Sequence, residues 1–148
     1  MPSSYASLYY HFIWSTKNRQ PLIQSEWKDE LYGYIGGIVR NEGNKLLAAG
    51  GIDDHIHLLC SLGRDSTIKD VARTIKTNSS KWLRDGHSPL FHWQDGYAAF
   101  SVSYSALSSV DRYIQNQEEH HKELTFEEEM RAIFKKCGME FDERFFEK

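Results

Sequence analysis

The 148-residue chain has only two cysteines and three prolines, and no apolar run approaches the roughly 20 residues needed to cross a bilayer. Cys60 and Cys137 have neither CxxC nor secreted-scaffold spacing, which excludes a cysteine-held metal and leaves both as reduced, structural thiols. The opening MPSSYASLYYHFIW lacks the basic region and small-residue cleavage site of a secretory leader, so the expected location is cytoplasmic and no membrane partner is expected. A basic surplus is missing too. The net charge of -3 argues mildly against a nucleic-acid binder, but residues 1–84 hold 11 Lys and Arg against 8 Asp and Glu, whereas residues 85–148 hold 7 against 13. A basic face is therefore compatible with an acidic total. No Pro-, Gly- or Ser-rich stretch, repeat or low-complexity segment divides the chain, so residues 1–148 are expected to form one domain.

What is present is aromatic and β-branched sequence in short runs. From Tyr5 to Thr16, Leu8, Tyr10, Phe12 and Trp14 alternate against Tyr9, His11 and Ile13, which predicts a strand buried on both faces. Trp27, Leu31, Tyr34, Ile35 and Ile38 recur at helical spacing until Asn41-Glu42-Gly43-Asn44 interrupts them. Lys45–Ile52 and His55–Leu62 read as strands joined at Asp53-Asp54, Thr67–Arg84 as a second helix, and Tyr97–Tyr104 as a fourth strand. Two further helices are expected around Leu107, Val110 and Ile114 and around Phe126, Met130, Ile133 and Phe134, followed by a charged, aromatic tail from Glu140 to Lys148. The order β-α-β-β-α-β predicts an α+β, ferredoxin-like split βαβ sandwich: a four-stranded antiparallel sheet with two helices on one face and further helices able to reach the other.

Two positions apart on a strand, His55 and His57 point to the same face, where two imidazoles can share one cation; a solvated strand pair is the plainer alternative. Tyr113 and Gln117 are four apart on the third predicted helix, and His120 continues their face, although a tyrosine beside an apolar stripe often only borders a core. Glutamine offers a neutral oxygen that suits magnesium or manganese. A divalent ion held by His55, His57 and Gln117 would polarise a phosphodiester and neutralise its charge while Tyr113 attacks, so these four residues make a coherent phosphotransfer centre. On the second helix Lys69, Arg73, Lys76 and Arg84 form a stripe opposite Ile68, Val71, Ala72 and Ile75. With Lys17 and Arg19 that stripe offers phosphate contacts, and Trp93 or Tyr97 a surface for stacking unpaired bases; the alternative is a solvated helix face.

The segments Gly51-Ile52-Asp53-Asp54-His55-Ile56-His57-Leu58-Leu59, Asn78-Ser79-Ser80-Lys81-Trp82, Trp93-Gln94-Asp95-Gly96-Tyr97 and Tyr113-Ile114-Gln115-Asn116-Gln117 resemble the single-tyrosine HUH transposases of the insertion-sequence 200/605 family. The resemblance runs nearly the whole chain, to Phe126-Glu127-Glu128-Glu129 and Phe141-Asp142-Glu143-Arg144. It implies a metal-dependent transposase, using Mg2+ or Mn2+ and no organic cofactor, that cuts and rejoins single-stranded DNA with hairpin ends. The family's HUH histidines fall on His55 and His57, its nucleophile on Tyr113 and its helical ligand on Gln117. Attack would leave a 5′-phosphotyrosine and a free 3′-hydroxyl. The resemblance also implies a homodimer with the Tyr113 helix donated across to the partner's histidines, for which Ser103–Ser109, short of strong helix formers, would act as the connection. A domesticated relative working at chromosomal palindromic repeats, a replication initiator or relaxase, and a non-catalytic ferredoxin-like nucleic-acid-binding module are the alternatives.

Overall fold

The computed structural model describes residues 3–146. Four strands, β1 (Leu8–Ser15), β2 (Lys45–Gly51), β3 (His55–Leu62) and β4 (Ala98–Val102), form one antiparallel sheet in the order β2-β3-β1-β4. The helices are α1 (Lys28–Asn41), α2 (Ile68–Gly86), α3 (Leu107–Gln115), α4 (Gln117–His120) and α5 (Phe126–Lys136). This is the expected α+β split sandwich. Among the described residues no helix is long and apolar enough to cross a membrane.

The side-chain alternation of the two central strands divides the molecule. Phe12 and Trp14 of β1 and Ile56, Leu58, Cys60 and Leu62 of β3 face one way, into a core closed by Leu31, Ile35 and Val39 of α1 and Val71, Ala72, Ile75 and Leu83 of α2. The residues between them, His11, Ile13, His55, His57 and Leu59, face the other way. There the cover comes from the C-terminal helices, with Ile114 of α3 against Leu59 and Ala48, and Phe126, Met130 and Phe134 of α5 against Ile13 and Ala98. Both faces of the central strands are thus buried, as the aromatic and β-branched run predicts for β1.

Several boundaries differ from expectation for identifiable reasons. β1 starts at Leu8 because Leu8 pairs with Leu62, the last residue of β3, and Tyr9 with Val102, the last of β4. Residues 5–7 have no neighbouring strand, and Tyr5 is 95% exposed. β4 is likewise limited to its pairing with β1, and Tyr104–Ala106 turn as a short 3-10 helix into α3. The predicted third helix is interrupted at Asn116, so Tyr113 stands in the last turn of α3 while Gln117 and His120 stand on α4. Cys60 is a core thiol, but Cys137 is exposed at the end of α5. The expected charged tail includes Glu147 and Lys148, which with Met1 and Pro2 lie outside the described residues.

Candidate active site

The β2–β3 hairpin and α3 are locked together at one glycine. A Cβ at Gly50 would stand 2.2 Å from the Ile114 carbonyl oxygen, so the absent side chain is what lets α3 lie directly on the sheet. Gly50 is paired with His57, which places the end of α3 over the histidines. Tyr113, the residue before Ile114, reaches to within 5.7 Å of the His57 ring, centre to centre, and 6.2 Å of the His11 ring. Within the single chain Tyr113 therefore lies over its own histidines, in cis.

All four residues expected to carry the chemistry meet here. His55 Nε2 and Gln117 Oε1 are 2.9 Å apart, and Gln117 Nε2 donates to Glu129 Oε2 at 3.0 Å. His57 Nε2 lies 3.3 Å from Glu129 Oε1, and the Tyr113 hydroxyl donates to Glu129 Oε2. His121 Nε2 adds a contact of 2.9 Å to Glu129 Oε1. Glu129, from α5, is thus the hub of the site: a carboxylate 1% exposed and surrounded by imidazoles, with no lysine or arginine among its close partners in the described residues.

Outer hydrogen bonds hold the rings in place. Asp54 Oδ1 lies 2.7 Å from His55 Nδ1, His11 Nε2 lies 2.8 Å from His57 Nδ1, and the Leu124 carbonyl lies 2.7 Å from His121 Nδ1. Each inner histidine so presents Nε2 toward Glu129, the arrangement by which outer partners aim imidazole ligands. Burial works against charge on His55, but hydrogen bonds to Asp54 and Glu129 outweigh it and raise its pKa to about 9. In His57 burial prevails over Glu129 and the pKa falls to about 4; burial, with His57 alongside, lowers that of His11 to about 3. Burial also opposes charge on Glu129, yet its bonds to His121, His55 and His57 hold the carboxyl well below the usual range. Burial and the Glu129 charge push the Tyr113 phenol up, so the phenol stays protonated at neutral pH.

Donor atoms of His55, His57, His121 and Glu129 all lie within 4.8 Å of one another, so the cluster could hold a metal ion. Three imidazoles, a carboxylate and the adjoining Gln117 oxygen fit a divalent cation. Sequence reasoning did not identify His121 or Glu129. The signal was weak: Glu129 sits in a run of three glutamates and His121 in a pair of histidines, and the placement of α4 and α5 over the sheet brings these two together.

The cationic positions assemble less uniformly. Lys69, Arg73 and Lys76 line a groove of about 400 Å3 along α2 with His92, Trp93, Asp95 and Tyr97. Lys17 lines an adjoining groove that shares Gln94 and Asp95. Lys76 donates to the Asp95 and Gly96 carbonyls at 3.0 and 2.9 Å, and burial lowers its pKa to about 8. Arg84 instead donates to the Phe91 carbonyl at 3.3 Å, outside that lining, and Arg19 stands 3.7 Å from Glu127. Trp93, 6% exposed, donates to Ser79 Oγ at 2.9 Å from inside the core. Its ring is therefore not a free stacking surface.

The family described as transposase, IS200 like, matches residues 4–117. The ISDra2 transposase TnpA of Deinococcus radiodurans is 27% identical over 123 residues, which cover 78% of this chain and 86% of that protein. A crystal structure described as a candidate transposase from Deinococcus radiodurans R1 superposes with a TM-score of 0.65 at 26% identity, covering 79% of this chain and 95% of the other. A REP-associated tyrosine transposase solved with a REP hairpin shares the fold, with a TM-score of 0.57 at 16% identity, over 77% of this chain and 68% of its own. The family match ends at Gln117, so His121 and Glu129 lie beyond it.

Proposed function

The chain belongs to the IS200-like transposase family, and from that premise we propose that it is a DNA transposase that cuts and rejoins single-stranded DNA through Tyr113. The observation that carries this reading is the convergence of the Tyr113 hydroxyl, His55, His57 and Gln117 on one buried carboxylate. A phenol, a set of cation ligands and a polar amide at one point are what phosphodiester exchange requires.

His55, His57 and Gln117 would hold a divalent ion, with Glu129 and His121 completing the set. Of magnesium and manganese, the imidazole-rich donors favour manganese. Such an ion supplies charge neutralisation and polarisation at the phosphoryl oxygens. The chain's own residues do the rest. Glu129 accepts the Tyr113 hydrogen bond and so fixes where the phenolic oxygen points. Tyr113 Oη attacks phosphorus as its proton passes along the hydrogen bond to Glu129, the bond from phosphorus to the 3′-oxygen breaks, and the leaving oxygen takes up that proton. The products are a 5′-phosphotyrosine and a free 3′-hydroxyl, and attack by a hydroxyl on the phosphotyrosine reverses the exchange. Lys17, Lys69, Arg73 and Lys76 would hold the flanking DNA by its phosphates, with a hairpin as the structured part of the substrate, as in the REP-bound structural relative.

The test is a denaturing gel with end-labelled hairpin oligonucleotides and Mn2+. The native chain should yield a covalent protein–DNA band, and Tyr113→Phe none while still binding the hairpin. A band that persists in Tyr113→Phe would place the nucleophile on another residue.

A further inference from the structure

One side of the cluster is open. A groove of about 510 Å3 runs outward from Tyr113, His120 and Glu129 between the edge strand β4 and helices α3 and α5. Its size falls within the roughly 300–1,000 Å3 usual for sites that take small organic groups. Phe100, Val102, Val110 and Ile133 make its walls apolar, while Ser101 and Ser103 bring hydroxyls and Lys136 a cation to its lining. On another side Phe126 covers His55, ring centres 4.7 Å apart.

We propose that this groove receives one unpaired nucleobase of the strand being cut, the base adjoining the scissile phosphate. The inference rests on Tyr113 being the nucleophile. A phosphodiester within reach of Tyr113 Oη sits at the inner end of the groove, so the neighbouring nucleoside must leave along whatever opening begins there. The lining matches that occupant: apolar and aromatic walls for the base faces, hydroxyls for its edge, and the Lys136 ammonium for the next phosphate. Its half-buried Phe100 wall offers a ring at the lining, which Trp93, enclosed in the core, does not. A second copy of the chain, the other candidate occupant of an apolar groove, has no corresponding need for a phosphate-binding cation in the lining that the nucleophile shares.

The probe is a pool of nine-nucleotide single strands of random sequence with 2-aminopurine at the central position, added to Tyr113→Phe protein so that nothing is cut. Stacking should quench the fluorophore. Two neutral substitutions without a ring face, Ala132→Leu to narrow the groove and Phe100→Leu to remove its aromatic wall, should each weaken the quenching interaction at least tenfold. An absent quench, or one with unchanged affinity in both variants, overturns the proposal. In cleavage assays, an abasic nucleotide moved along a cleavable strand should depress the rate at least tenfold at one position beside the cut, and Ala132→Leu should add little to that loss. A scan with no sensitive position overturns it as well. Groove-dependent quenching without cleavage by the native chain would retain the base site and discard Tyr113 as nucleophile. Concentration-dependent dimerisation lost in Ala132→Leu, with no effect on quenching, would assign the groove to a second copy instead.

Discussion

The two faces of one sheet are built from neighbouring residues and behave as opposites. Phe12, Ile56 and Leu58 are fully buried under α1 and α2 with no polar side-chain atom to satisfy, and Trp14 is buried beside them with an indole N–H that has no acceptor. His11, His55 and His57 are buried as deeply under α3 and α5, yet every one of them is hydrogen-bonded, and the group they surround is a carboxylate. Burial on the first face is the stabilising term itself. On the second it is a cost, offset by a network that aims several donors at one point. Depth of burial alone therefore does not separate core from site; the partners do.

The largest expected effect sets adjacent residues against each other. His57→Ala should reduce metal-dependent cleavage by roughly three orders of magnitude or more, as expected when a reaction centre acts as a unit. Leu58→Ala should cost about 2–5 kcal/mol in denaturant unfolding while each folded molecule keeps its cleavage rate. Equal losses of activity per folded molecule would erase the division between faces.

Gly50→Ala tests the junction. Its methyl would collide with the Ile114 carbonyl and lift α3, costing about 1–3 kcal/mol. Because Tyr113 moves with α3, cleavage should fall about 100-fold, the loss expected from a misplacement near 1 Å. Full activity in a stably folded Gly50→Ala protein would show that the contact does not position Tyr113.

Glu129→Gln sharpens the second face alone. It keeps an acceptor for Tyr113 but removes the charge, so calorimetry should find divalent-ion affinity lowered about 10- to 100-fold. Unchanged affinity would take Glu129 out of the ligand set and leave it with Tyr113 only.

The smallest effect concerns the groove on the α2 side. Burial lowers the pKa of Lys76 to about 8 from the ordinary 10.5, so it is charged at pH 7 and largely neutral at pH 9. Raising the pH across that window should flatten the salt dependence of DNA binding by about one unit of slope, and Lys76→Met should show the pH 7 slope already reduced. The same shift means that the folded chain binds fewer protons than the unfolded one between pH 8 and 10.5, so this group's contribution to stability rises over that range. An identical slope at both pH values would mean that Lys76 contacts no phosphate and serves only the Asp95–Gly96 turn.

Much of this was legible in the chain itself, because alternation and helical spacing are local. The four strands, the two helices of the apolar face and the shared face of His55 and His57 follow from periods of two and of about 3.6 residues. The spacing of Tyr113 and Gln117 likewise survives the break at Asn116, since α4 resumes at once. What local pattern could not decide is which residues arrive from far along the chain. Glu129 joins the site because α5 turns back over the sheet, and His121 because it caps α4; the helical spacing from Phe126 puts Glu129 on the buried face of α5 but does not say what that face covers. The stripe on α2 was divided for the same reason: Lys76 and Arg84 are claimed by carbonyls of the loop between α2 and β4, whose path is set by packing. Long-range placement is a property of the whole packed core, where each side chain's partners depend on every element that closes over it.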